Sequence, residues 1–303
     1  MRVLINGLPL FAKRLASELQ KYDSNSSYVF LDTYNSRWAQ LLFYLYLPFS
    51  DVVISMNGVT DKSGSLDLVL KRRKKLILQW MGTDVLLAME RFENGNIERK
   101  YIDYATNFVD SQWLLAEVRS LNIPVNYLCF KSVKAEENTT KYENISVVSY
   151  VAESRQGFYG MEKIATLALE FPAIDFHLYG LTKVEFPITS NVHLHGWVKP
   201  EVFAERLKTT PIFLRLTEHD GFSVSVIEAL ANGCEVIMSL PFDLTYLASN
   251  TSDAIEGMKQ LISKIEARGM IPNKELIEAV KVYFEPEIIA KNYIQKLKEI
   301  VVN

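Results

Sequence analysis

The feature that most constrains this chain is an alternation that runs through it twice. Short, nearly continuous apolar segments ending in glycine or a polar loop are each followed by a segment with apolar residues at helical spacing. RVLING (Arg2–Gly7) reads as a strand, and PLFAKRLASELQKY places Phe11, Leu15 and Leu19 on one helical face. SYVFLDT, DVVISMNG, KKLILQWMG and ATNFVD read as further strands. The helices between them are Trp38–Leu47, SLDLVLKRR and SQWLLAEVRSLNI, the last opened by Ser111. Strands apolar on both faces, separated by helices, imply a parallel sheet covered on both sides. A polar stretch between Phe130 and Asn144 interrupts the pattern, which then restarts with ISVVSYV, MEKIATLALEF, DFHLYG and NVHLHGW. KPEVFAERLKT, PIFLRL, SVSVIEALANG and CEVIMS continue it, and three closing helices follow, the last set off by Pro286. The expected fold class is α/β, with two Rossmann-like domains facing across a cleft. Residues 1–140 are expected to form the first domain and 141–303 the second. Ligands are expected at the carboxyl ends of the strands.

Charge and composition remove several function classes. A net charge of -3 over 303 residues argues against nucleic acid as a partner. Cys129 and Cys234 fit neither a metal nor a redox spacing, so a reducing, cytoplasmic setting is expected. The apolar run at the N-terminus is short and broken by Pro9, and no run reaches the roughly 18 residues of a membrane span. WAQLLFYLYLPF (Trp38–Phe49) and KRRKK (Lys71–Lys75) allow two readings. The favoured one is a buried layer helix beside a solvated turn. The other is a peripheral contact with an anionic membrane carrying a lipid-linked acceptor.

LRLTEHDGFSVSVIEALANGCEVI (Leu214–Ile237) carries the chemistry. The strand ends near Leu216, TEHDG forms a loop, and a helix starts near Ser223. A helix start offers unpaired N–H groups and partial positive charge, which suit a phosphate. Gly221 admits a ligand close to the backbone. Glu228 lies in an otherwise apolar helix, where a carboxylate suits the paired hydroxyls of a ribose or sugar. Asp220 is placed to meet a second hydroxylated group. Phosphate between two hydroxyl-bearing groups describes a nucleotide sugar.

Asp220-Gly221-Phe222-Ser223 followed by Glu228-Ala229-Leu230-Ala231-Asn232-Gly233 resembles the Glu-x7-Glu signature of retaining GT-B glycosyltransferases, especially glycosyltransferase family 4. The resemblance implies that Glu228 holds the donor ribose and that Asp220, with the backbone of Gly221, Phe222 and Ser223, holds the donor sugar. It implies that Gly196-Trp197-Val198 contacts the base, that Gly7 lies in a loop near donor and acceptor, and that the last helix crosses back to pack on the first domain. It also implies transfer without a metal or other cofactor, and no Asp-x-Asp occurs. Asp220 stands where that family has Glu. Ala152-Glu153 stands where Gly-Arg is usual, and no lysine follows before Lys163. A departing diphosphate needs positive charge, so Arg155 is the first candidate and Arg215 the second. Arg215 also reads as an ion-pair partner of Glu218 or Asp220. Asp84 reads either as a catalytic residue facing the acceptor or transferred sugar, or as a cap for VLLAMERF. Trp197 reads as a base platform or as core. His193 and His195 share a strand face, and packing is the expected role.

The expected activity is transfer of a sugar from a nucleotide-sugar donor to a glycan or lipid-linked acceptor, with retention. The alternatives are a non-catalytic nucleotide-sugar binding or partner subunit, and a sugar-nucleotide epimerase of the same fold.

Overall fold

The computed structural model describes residues 1–302. It divides the chain into two compact units: Met1–Lys131 together with the closing segment from Pro286, and Ser132–Glu285.

The first unit is built on strands β1 (Arg2–Gly7), β2 (Ser27–Phe30), β3 (Val52–Met56), β4 (Lys75–Trp80), β5 (Thr106–Val109) and β6 (Val125–Tyr127). Its helices are α1 (Pro9–Tyr22), α2 (Arg37–Tyr46), α3 (Gly64–Lys71), α4 (Thr83–Glu93), α5 (Lys100–Tyr104) and α6 (Gln112–Ser120). The strands form one parallel sheet in the order β2-β1-β3-β4-β5-β6. Period-two alternation sorts each strand between two layers. Val3 and Ile5 of β1, with Val52 and Ile54 of β3, join a cluster containing Ala12, Leu15 and Leu19 of α1. Leu4 and Val53 face the other way, toward Phe43, Leu66, Val85 and Leu114. Both faces are therefore covered, which is why these strands read as unbroken apolar runs.

The second unit holds β7 (Ser146–Tyr150), β8 (Asp175–Tyr179), β9 (Val192–Leu194), β10 (Ile212–Arg215), β11 (Glu235–Met238) and β12 (Tyr246–Leu247). Its helices are α7 (Met161–Glu170), α8 (Pro200–Lys208), α9 (Val224–Ala231), α10 (Thr251–Ala267) and α11 (Lys274–Tyr283). The sheet is again parallel, in the order β12-β11-β10-β7-β8-β9. Each sheet reverses its winding beside its first strand: between β1 and β3 in one unit, between β7 and β10 in the other. Crevices at strand carboxyl ends form at such points.

The final helix α12 (Pro286–Val302) belongs to the first unit. It buries Ala290, Tyr293, Ile294 and Leu297 in the cluster of α1. Tyr293 Oη donates to Gln79 Oε1 at 3.2 Å. Lys75 Nζ donates to the carbonyls of Ile300 and Val301 at 2.6 and 2.7 Å, a cation on the negative end of the helix.

The layer-helix reading of Trp38–Phe49 holds for one side only. Phe43 and Leu47 are buried, but Trp38, Leu41, Tyr44, Leu45, Tyr46 and Phe49 are exposed. Among the described residues no helix is long and apolar enough to cross a membrane.

Candidate functional site

The candidate site of the second unit lies where β7 and β10 end side by side. Ser149 Oγ on β7 donates to the carbonyl of Leu214 on β10 at 2.9 Å, fixing the two strand ends. The chain leaves β7 through a single 3-10 turn, Glu153–Arg155, and leaves β10 through Leu216–Ser223. These loops touch directly: the Glu218 amide donates to the Phe158 carbonyl at 2.9 Å. Gly160, at φ +73°, makes that approach possible, because a Cβ there would lie 2.2 Å from the Leu216 carbonyl oxygen.

One contiguous set of side chains spans the two loops. The Arg155 guanidinium lies 3.9 Å from the centre of the Phe158 ring. Phe158 meets Tyr159 edge-on at 5.7 Å, and the Arg215 guanidinium lies 5.0 Å from the Tyr159 ring. Arg215, at the end of β10, donates through Nε at 2.9 Å and through Nη2 to Oδ2 of Asp220. The ion-pair reading of Arg215 is thus the geometry observed, with Asp220 rather than Glu218. Arg155 differs: it is exposed, and among the described residues no carboxylate pairs with it.

Ser223 stands at the N-cap position of α9, but its hydroxyl meets Ser225 Oγ at 2.8 Å and makes no cap hydrogen bond. The N–H groups of Val224 and Ser225 therefore have no side-chain cap, as an anion-binding helix start requires. Gly221 is buried beside them. Phe222 points into the core, stacked on Phe284 at 5.1 Å and edge-on to Phe242 at 4.9 Å, so only its backbone is placed to meet a ligand. Glu228 is half-buried on a helix whose Val226, Ile227, Ala229, Leu230 and Ala231 are all buried.

The neighbouring strand ends complete the rim. Gly196 follows β9 at φ +65°; its amide donates to Leu181 and its carbonyl accepts from Gly180. Trp197 beside it is 74% exposed, which excludes the core reading. Glu153 accepts from the Thr182 amide and hydroxyl, both at 2.7 Å, and these bonds hold its carboxyl below the usual range. Gln156, buried, donates to the carbonyls of Glu153 and Lys183 and accepts from the Glu185 amide. Neither clamp, nor Tyr159, was apparent in the sequence. Their partners are up to 56 residues away (159 to 215), and no local pattern marks them.

In the first unit, Gly7 ends β1 at φ +100°, and a Cβ there would stand 2.7 Å from the Met56 amide. Asp84 lies in the first turn of α4. Its carboxylate accepts from the amides of Gly58, Met81, Gly82 and Val85 at 2.5 to 3.1 Å. Burial pushes its pKa up, and hydrogen bonds from the backbone of Gly58, Met81, Gly82 and Asp84 itself oppose that rise.

No family model matches the chain, and no curated protein sequence matches it. Solved structures do. Sucrose-phosphate synthase from Thermosynechococcus elongatus aligns over 100% of both chains, with a TM-score of 0.72 at 11% identity. A glycosyltransferase from Rickettsia africae aligns over 100% of this chain and 99% of its own, with a TM-score of 0.71 at 10% identity. The pneumococcal O-GlcNAc transferase GtfA, solved with UDP and GlcNAc, aligns over 88% of this chain with a TM-score of 0.58 at 12% identity; this chain spans 60% of its length. The chain has the GT-B fold. At such identities the likeness concerns architecture: two parallel Rossmann-like units, which the two six-stranded sheets match. Within a GT-B chain, the β10–α9 loop and the turn after β7 occupy the switch point of the second unit.

Proposed function

We propose that this chain is a glycosyltransferase that moves a sugar from a nucleotide-sugar donor to an acceptor, with retention and without a metal ion. One observation carries the reading. At the switch point between β7 and β10, an uncapped helix start lies between a loop carboxylate and a helix carboxylate, and the turn after β7 carries an exposed arginine that, among the described residues, no carboxylate neutralises.

In this reading the first-turn N–H groups of α9 take the donor diphosphate. Glu228 accepts from the ribose hydroxyls, and Trp197 with Gly196 borders the base. Asp220, oriented by Arg215, accepts from hydroxyls of the transferred sugar. Arg215 is then a positioning residue, and Arg155 supplies the positive charge that favours departure of the diphosphate. The bond from the anomeric carbon to the diphosphate oxygen breaks, and a bond to the acceptor oxygen forms on the same face. The acceptor proton passes to a leaving-group oxygen. Asp84 holds the loops after β3 and β4 together, since its oxygens are used by backbone N–H groups. The GT-B likeness supports this class of chemistry; donor and acceptor belong to the proposal. GtfA, bound to UDP and GlcNAc, motivates uridine diphosphate sugars as the first donors to try.

The test is thermal unfolding with a panel of nucleoside diphosphates and nucleotide sugars, alongside Glu228→Ala and Arg155→Ala. A donor at 100-fold its dissociation constant stabilises by about 2.7 kcal/mol. Glu228→Ala should lose most of that gain. Arg155→Ala should retain much of it while losing release of nucleoside diphosphate. Stabilisation by none of the panel sinks the donor site. Stabilisation without release assigns the chain to non-catalytic binding. A product still attached to its nucleotide assigns an epimerase, and NMR of the anomeric proton decides retention.

A further inference from the structure

Helix α2 presents to solvent a surface that folding does not use. Trp38, Leu41 and Leu45, spaced i, i+3 and i+7, line one outer face. The 3-10 turn Leu47–Phe49 extends it with Phe49. Trp38 and Phe49 are 68% and 64% exposed, and Tyr44 and Tyr46 flank the stripe. The inner side is anchored, since Phe43 and Leu47 are only 1% exposed. The outer aromatics are therefore held on a rigid support.

The charge carried by α2 and by the run after α3 has one sign. RWAQLLFYLY contains no acid, and Arg37 opens it. The basic run after α3 is brought against it: the Arg72 guanidinium lies 5.9 Å from the centre of the Tyr44 ring. Lys74 Nζ donates to the carbonyls of Pro48 and Ser50 at 2.7 and 2.8 Å, which ties that run to the turn carrying Phe49. Arg37, Lys71, Arg72 and Arg73 are exposed, and among the described residues none of them has a carboxylate partner. An apolar stripe mixing Trp, Leu, Tyr and Phe beside unneutralised cations matches the interface of an anionic bilayer. There the indole and phenol rings sit at headgroup level, and the cations meet lipid phosphates. Asp51 lies beyond the turn, but the charged side chains carried by α2 and by the run after α3 are cations only, which complements lipid phosphate.

We infer that the α2 face, with Arg37 and the Lys71–Arg73 run, docks the first unit onto an anionic lipid surface. The inference is independent of the transfer reaction and stands or falls without it.

The test is sedimentation of the full chain with vesicles of phosphatidylcholine, with and without phosphatidylglycerol. Binding should be at least about tenfold tighter to the anionic vesicles and should weaken with salt, since each basic residue near the surface contributes about fivefold. Trp38→Ser with Phe49→Ser should remove binding, and Lys71→Glu with Arg73→Glu should remove its dependence on the anionic lipid. All four side chains are exposed, so the thermal midpoint should match that of the parent chain in both variants. As a second readout, tryptophan emission should shift to the blue with anionic vesicles, and Trp38→Phe should abolish that shift. Absence of binding by the parent chain, or equal binding by the variants, overturns the inference. So does a dimer in solution that Trp38→Ser dissolves while vesicles bind nothing.

Discussion

Asp84 and Asp220 show how differently two carboxylates can be used when each begins a helical unit. Asp84 meets only backbone donors, from Gly58, Met81, Gly82 and Val85. Asparagine has the same shape, but it turns an NH2 toward N–H groups and leaves donors facing donors. Asp84→Asn should therefore lower the unfolding free energy by roughly 3 kcal/mol. Urea unfolding measures this as a lower midpoint with an unchanged slope, and a loss below about 1 kcal/mol would count against the four-bond account. The sequence reading of Asp84 as the cap of VLLAMERF is corrected, since Gly82 holds the N-cap and Asp84 lies in the first turn; that an acid opens this helix was visible. The bond of Asp84 to Gly58 was not, because that partner lies 26 residues away on another loop. The same limit applies to Arg215. Ion pairing with Asp220 was one of its readings from sequence alone, but whether its charge faced an acid or a ligand depended on the loop path. Gln156 gave no signal at all: a lone glutamine in a polar loop becomes a three-bond clamp only when the β8 loop is beside it.

At the scale of elements, the long apolar strands were legible, and β6 and β12 among the short ones were not. β1, β3 and β4 are buried on both faces and have five or six residues. β6 with three residues and β12 with two are too short to repeat an alternation, and sheet pairing defines them. α5, with five residues, escaped for the same reason. The β8–β9 edge shows what spacing could say and what it could not. His193 and His195 were placed on one strand face, and packing was the expected role. The structure adds His177: it stacks with both at 5.0 and 5.2 Å, and its Nδ1 lies 3.0 Å from His195 Nε2. Burial, then Arg206, His195 and His193, hold His177 down to about 4, and Asp175 opposes them. A histidine depressed in the folded state binds fewer protons there than when unfolded. Its contribution is therefore complete above about 6.5 and lost as pH falls from 6.5 toward 4. His177 is only half-buried, so solvent screening leaves an effect on the order of 1 kcal/mol. Thermal midpoints across this range should fall less in His177→Gln than in the parent chain. Identical slopes would refute the linkage.

For the whole molecule, the decisive step is the return of the chain to its first unit after it has built the second. Pro286 opens α12 where the second unit ends, and proline suits a first helical turn. The helix then places Ile289, Ala290, Tyr293, Ile294 and Leu297 in buried positions. Four of these are large, and burying each contributes about 1.5 to 3 kcal/mol. The sum is about 6 to 12 kcal/mol, as large as the net stability of an ordinary domain. Gln79 and Lys75 add polar ties to Tyr293 and to the last carbonyls. The first unit, although its sheet is complete by Tyr127, should therefore be unable to hold its fold without the last helix. Ending the chain at Glu285 should strip hydrogen-exchange protection from α1, β1 and β4 while β7 and β10 keep theirs. Because α12 contributes no strand, the readout separates missing core from missing sheet: a first unit still protected after the truncation would mean that the α1 layer is stable on its own.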